Sequence, residues 1–252
     1  YSGGRKVIAP GIAHADTITT FHNYAFMDHP MARNCQLEGN PLHEEQLEIV
    51  ARLGGALALN TVIDDRRRLS YVNFGEVVES HLAAVEFVRS YAEVRVPRQF
   101  RTVVTSAAGY PLDKTYYQTV KGMVGPLDIL SPGGDLIIAS ECSEGLGSPE
   151  YRDAQRRLVD QGIDAFTASI AAKSHADIDE WQTQMQLKPL ARGHVTLVSD
   201  GLDETDRGLT GVHMTSELTT AIERSVARQG DRHVAVIPEG PYVIPRYHAS
   251  VL

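Results

Sequence analysis

The chain has 252 residues, enough for one large domain or two medium ones with cores of their own. A hydrophobic share of 42%, a charged share of 22% and a net charge of -8 describe an ordinary globular composition. The acidic balance argues against nucleic acid or an anionic membrane as partner, and no apolar run approaches the ~20 residues of a membrane span. Two cysteines, Cys35 and Cys142, are too few for a disulfide framework, so a reducing, cytoplasmic setting is expected.

The chain opens Tyr1-Ser2-Gly3-Gly4-Arg5-Lys6, with no initiator Met and no charged-then-apolar leader. It reads as a chain entered partway through a fold. Lys6-Val7-Ile8-Ala9, closed by Pro10-Gly11, predicts a buried strand or strand end. Asp16 and Thr17 offer caps for a helix running to about Phe26, and Pro41 opens a second helix that Gly54-Gly55 stops. Residues 57–63 and 71–74 read as strands. A long helix over 76–91 should bury Val77, Val78, Leu82, Val85 and Val88 at helical spacing.

Val96-Pro97-Arg98 is the candidate domain boundary. Beyond it come a strand at 102–105, a helix capped by Asp113 and reaching Met123, and a strand at 136–139. Helices near 149–160, 162–172 and 177–187 lead to a strand at 195–198. A helix near 215–229 leads to a strand at 234–237. Strand–helix–strand order with helical crossovers predicts an α/β fold: two α/β domains with mainly parallel sheets, the first incomplete at its amino-terminal side. Residues 1–95 form the remainder of that first domain, and 98–237 a second, Rossmann-like one. The loop-like end, 238–252, could pack back on the first.

Few residues announce chemistry singly. A lysine beside a strand end is usually a snorkelling surface residue; as a covalent anchor, Lys6 would lose its charge and lie against an apolar wall without penalty. His22 stands sixteen residues later and could bind nickel, yet no His, Cys or carboxylate stands at ligand spacing with it, so further ligands would have to come from a cofactor. On the helix after the 102–105 strand, Tyr117, Gln118 and Lys121 can share one face at the carboxyl end of the sheet, suiting an anionic, oxygen-rich substrate; an exposed amphipathic helix is the plainer account. Trp181, the sole tryptophan, reads as core or as a half-exposed ring against an apolar side of a site. Residues 141–147 (ECSEGLG) form a second loop at the same end of the sheet. The run Arg66-Arg67-Arg68 reads as a solvated strand edge, and Cys142 has no histidine partner nearby to make it a nucleophile.

Taken in order, YSGG-x-K, the histidine sixteen residues on, GNPLHEEQLEI, GYPLDKTYYQTVKG, ASECSEGLG, WQTQ and VIPEGPYVIP resemble the nickel-dependent lactate racemase family along essentially the whole chain. The resemblance implies a racemase or epimerase of a small 2-hydroxy acid that works by reversible hydride transfer. It implies a nickel pincer nucleotide (nickel pyridinium-3,5-bisthiocarboxylic acid mononucleotide) attached covalently at Lys6, with His22 as the nickel ligand. Gln118 and Lys121 take catalytic positions, and Tyr117 and Trp181 line the substrate pocket. The family's two catalytic histidines and a substrate-binding arginine lie upstream of the lysine segment and are absent from this chain. Cofactor-synthesis enzymes, and a separate amino-terminal fragment, are the partners this implies. Ser106-Ala107-Ala108-Gly109 departs from the family's Asn-Gly-Gly, which bears on the size of the hydroxy acid. Two other readings stay open on the residues alone: a relative that binds cofactor or ligand without turnover, and a lysine Schiff-base enzyme using Lys6.

Overall fold

The computed structural model describes residues 1–64 and 66–249 and divides into two compact units. Unit 1 takes Tyr1–Ala92 and Ile170–Ala176; unit 2 takes Glu93–Ser169 and Asp177–Leu252.

Unit 1 runs α1 (Arg5–Ile8), α2 (Ala15–Phe21), α3 (Tyr24–Met27), α4 (Pro41–Arg52), β1 (Leu57–Ile63), β2 (Leu69–Glu76) and α5 (Val77–Ala92). The predicted strand around Lys6 is the one-turn helix α1. Four apolar-leaning residues are too few to carry a period, and Gly3 and Gly4, both at positive φ, turn the chain into a helix instead. The predicted first helix is split. His14 rather than Asp16 or Thr17 caps α2, its Nδ1 accepting from the Asp16 amide at 3.3 Å. Asn23 then starts α3 by accepting from the Phe26 amide, while its own amide donates to Thr20 and Ser174 carbonyls. In α5 the inward face is Val77, Ser80, His81, Ala84 and Val85; Leu82, predicted buried, is exposed. β1 and β2 pair as an antiparallel hairpin. At its turn, Arg68 is tied to Asp64 at 2.8 Å. The segment 170–176 is held here by Asn23 on Ser174 and by the Ala176 amide on the Thr19 carbonyl.

Unit 2 holds β3 (Glu93–Val96), β4 (Phe100–Ser106), α6 (Tyr116–Val124), β5 (Leu130–Ala139), α7 (Pro149–Ala171, its last two residues in unit 1), α8 (Glu180–Arg192) and β6 (Gly193–Val198). It continues with α9 (Glu204–Leu209), β7 (His213–Thr215), α10 (Leu218–Gln229), β8 (Val234–Ile237) and β9 (Ile244–Tyr247). Five parallel strands lie in the order β7-β6-β5-β4-β8, and β3 pairs with β9 in a separate parallel ribbon. Residues 238–249 thus fall in unit 2; 250–252 lie outside the described residues. The central strands read as unbroken buried runs, as a sheet covered on both faces requires. Val103, Leu136, Ile138, Val195 and Leu197 pack with Tyr116, Val120 and Met123 of α6 in the main core.

The sheet grows outward from β4 through β5 and β6 to β7, then returns to set β8 on β4's other side. The carboxyl end of β4 is therefore the switch point, the place where open α/β sheets hold ligands. The gap toward β8 is closed by backbone: a Cβ on Gly240 would meet the Ser106 carbonyl at 2.2 Å. Space remains on the other flank, over the loops that follow β4 and β5. In α7, Gly162 at φ 80° breaks the helix at the junction expected between the 149–160 and 162–172 helices, so the two expected helices are both present.

Candidate functional site

In unit 2 the loops after β4 and β5 are laced together. Asp113, predicted to cap α6, instead accepts from the Glu141 amide at 3.2 Å, and its carbonyl accepts from the Cys142 amide at 2.8 Å. Thr115 is the actual cap, accepting from the Gln118 amide. The amides of Tyr116 and Tyr117 donate to the Gly145 and Leu146 carbonyls at 3.0 and 2.9 Å, so the first turn of α6 is fixed against the β5 loop. Cys142 is wholly buried in the core, a packing residue rather than an attacking one.

This frame presents the predicted face of α6. The Lys121 ammonium lies 5.4 Å from the centroid of the Tyr117 ring, one helical turn apart. Trp181, half-buried near the start of α8, donates its indole N–H to the Tyr117 hydroxyl at 3.2 Å, and Gln182 donates to the Tyr117 carbonyl at 2.9 Å. Tyr117, Lys121 and Trp181 are thereby brought together. Gln118, half-buried, is held through its backbone at the Thr115 cap. Thr115, Tyr117, Glu144, Gly147, Ser148 and Asp179 line a cleft of about 410 Å³.

The electrostatics of the cleft centre on Asp179, which sequence reasoning missed. It sits at φ 62°, a left-handed conformation uncommon outside glycine, and its carboxylate accepts from the Ser148 hydroxyl at 2.6 Å. Burial pushes the Tyr117 phenol up to about 12, with the Trp181 hydrogen bond opposing and Asp179 adding to the rise. Desolvation lowers the Lys121 ammonium, and the Asp179 charge opposes that shift. Ser148 caps α7, its oxygen accepting from the Tyr151 amide at 3.1 Å; a Ser-Pro pair at a helix start is the signal that could have found it. Nothing in the sequence marks Asp179, because its backbone conformation and its reach to Ser148 are tertiary facts.

In unit 1, Lys6 is exposed on α1 and His22 is the half-buried C-cap of α2. The His22 Nδ1 lies 3.0 Å from the Ile18 carbonyl, so Nδ1 carries the proton and Nε2 keeps its lone pair. Its pKa is lowered to about 4, by desolvation first, against the Ile18 hydrogen bond, with the Lys6 charge lowering it further. The ring is thus neutral at pH 7, and Lys6 is near enough to be felt. Among the described residues no group of three or more His, Cys, Asp or Glu is placed to hold a metal ion.

Comparison with known proteins bears on both units. The family model for the lactate racemase C-terminal domain matches residues 97–245. The chain belongs to the lactate racemase family. Lactate racemase of Thermoanaerobacterium thermosaccharolyticum is 32% identical over 98% of this chain and 58% of its own length. That of Lactiplantibacillus plantarum is 29% identical over 97% and 58%. The chain therefore spans under two thirds of the racemases it matches. The structure of the Thermoanaerobacterium thermosaccharolyticum lactate racemase apoprotein aligns with a TM-score of 0.89 at 30% identity, over 97% of this chain and 59% of that one. A Thermotoga maritima protein aligns at 0.68 with 15% identity, over 98% and 63%, a likeness of fold alone. The α/β architecture read from the sequence is that of lactate racemase, and the chain's relatives are racemases. No helix among the described residues is long and apolar enough to cross a membrane.

Proposed function

We propose that the chain serves a racemase or epimerase of a small 2-hydroxy acid, working by reversible hydride transfer to a nickel pincer nucleotide tethered at Lys6. His22 is the protein's nickel ligand on this reading. The observation that carries it is the state of His22: a neutral imidazole, its tautomer set by the Ile18 carbonyl, beside a lysine, and outside any group of three or more His, Cys, Asp or Glu among the described residues. A metal site with one histidine fits a cofactor that brings its own donors. When bound, that group supplies the remaining nickel ligands and the hydride acceptor.

The chain's own residues bind and orient. Lys121 meets the substrate carboxylate, where its partly desolvated ammonium makes a stronger charge-assisted contact than a fully hydrated one. Gln118, one turn back, offers an amide to the same oxygens or to the developing alkoxide. Tyr117 and Trp181, joined by their hydrogen bond, form a fixed wall that excludes water and limits substrate size. Cofactor-synthesis enzymes as partners and a cytoplasmic location belong to the same reading. The acid–base pair that moves the hydroxyl proton is assigned to no residue of this chain.

Intact-mass and nickel analysis of protein produced alongside the cofactor-synthesis enzymes tests the reading. A nickel- and sulfur-containing adduct at Lys6 is expected. Lys6→Arg should lose it, and His22→Ala should keep the adduct but lose nickel. A chain with neither adduct nor nickel overturns the proposal; a carbonyl substrate trapped on Lys6 by borohydride would put a Schiff-base enzyme in its place.

A further inference from the structure

Unit 1 contains a cluster of buried bases on which, among the described residues, no acid acts. Arg5 is 5% exposed, His81 2% and His43 8%. Arg5 Nη1 lies 3.0 Å from His81 Nε2, which also lies 3.0 Å from the Ser2 carbonyl. A neutral imidazole nitrogen can accept from the guanidinium or donate to the carbonyl, but not both. Arg5 Nε and His43 Nδ1 are buried with no hydrogen-bond partner at all.

The surroundings do not supply the missing group. Asn60 accepts from the Gly4 amide and donates to Ser80 and Asn73, and Asn73 donates to the Ser80 carbonyl, so the adjacent polar layer closes on itself. Arg5 feels burial and no nearby acid, which lowers it to about 10. His43 and His81 are each lowered to about 4, by burial first and by the Arg5 charge second. A guanidinium stays charged at any ordinary pH, and a buried charge without a counter-charge is among the costliest arrangements a fold can hold.

We propose that Arg5, His43 and His81 form an anion-binding site that takes a phosphate group. The Arg5 charge acts on both imidazoles, and Arg5 Nε and His43 Nδ1 are buried and unspent, so the cluster holds one fixed positive charge and up to one N–H from each neutral ring; a phosphate oxygen set can use the charge and these donors together. Two sources share this chemistry, a free phosphate and the phosphate of a nucleotide carried at the neighbouring Lys6. The site does not depend on the pincer reading, since it is defined by phosphate alone.

Calorimetric titration of inorganic phosphate into the cofactor-free full chain, at constant ionic strength set with chloride, tests it. One site per chain and a raised melting temperature are expected. Arg5→Gln should weaken binding at least tenfold and His43→Asn about threefold to tenfold, both variants keeping the wild-type circular dichroism. If cofactor loading at Lys6 abolishes phosphate binding, the nucleotide is the natural source; if binding persists, free phosphate is. Absence of saturable binding in the wild type overturns the proposal, as does binding that both folded variants retain. Because the titration uses protein without cofactor, failure to find an adduct at Lys6 leaves its outcome untouched.

Discussion

Trp181 and Tyr117, 64 positions apart, are joined by an indole N–H to phenol oxygen hydrogen bond of 3.2 Å. Trp181 is the only tryptophan, so indole fluorescence reports on the surroundings of this one ring. Tyr117→Phe should red-shift the emission as water replaces the phenol, at a stability cost of about 1 kcal/mol. An unchanged spectrum would mean that the two rings do not meet in solution.

Lys121 and Asp179 give a pH prediction with a definite sign. Desolvation lowers the Lys121 pKa and the Asp179 charge raises it. Asp179→Asn keeps a residue tolerant of left-handed backbone while removing the charge, so Lys121 should lose its proton at lower pH. In an active racemase preparation the alkaline limb of kcat/KM moves to lower pH, and Lys121→Met lowers kcat/KM by about 10- to 100-fold through loss of a charge-assisted hydrogen bond. A profile that Asp179→Asn leaves in place would remove Asp179 from this role.

His43 and His81 make stability depend on pH in the mildly acidic range. Their folded pKa values, about 4, lie below the model value of 6.5, so between these the unfolded chain binds more protons than the folded one. Stability is full above pH 6.5 and is lost as pH falls toward 4. Thermal melts in phosphate-free buffer should show a midpoint falling by on the order of 2–4 °C per pH unit across that window. The double variant His43→Asn, His81→Asn should flatten the slope, whatever its absolute midpoint.

Asp135, 2% exposed on β5, accepts from Ser225 at 2.7 Å and from Arg228 Nε at 3.2 Å, and Ser225 in turn meets Thr102 at 2.7 Å. This network fastens α10 to β4 and β5 at Thr102 and Asp135, short of the carboxyl ends from which the cleft loops leave. Asp135→Ala leaves buried hydroxyls and a guanidinium without their acceptor and should cost about 3 kcal/mol in urea unfolding. Emission from Trp181 in the native state should stay as in the wild type, which separates this effect from damage to the cleft.

Much of unit 2 was legible because long apolar runs and helical spacing extend over many residues: β4, β5, β6, β8 and α10 lie close to where the patterns put them. What escaped was short or decided at a distance. Four residues carry no period, so α1 reads from sequence as a strand, and His22 reads as mid-helix because nothing local shows that Asn23 reaches the Ser174 carbonyl. β7 and α9, of three and six residues, fell below any pattern. In the candidate site, Tyr117 and Lys121 came from helical spacing, whereas the Asp179 carboxylate is aimed by a backbone conformation that an ordinary Asp-Glu pair does not disclose.

The excursion of residues 170–176 into unit 1 bears on how this family can be recombined. The matched carboxyl-terminal domain is continuous from 97 to 245, yet its residues 170–176 fall in unit 1, where the Ser174 carbonyl and the Ala176 amide answer to Asn23 and Thr19. A chimera made by a single crossover near residue 93 would bring a foreign 170–176 strip to a resident α2–α3 corner, with the Asn23 amide and the Thr19 carbonyl facing a stranger. Compatible exchanges carry both segments together, so that the unit of inheritance is longer than the domain that sequence matching outlines.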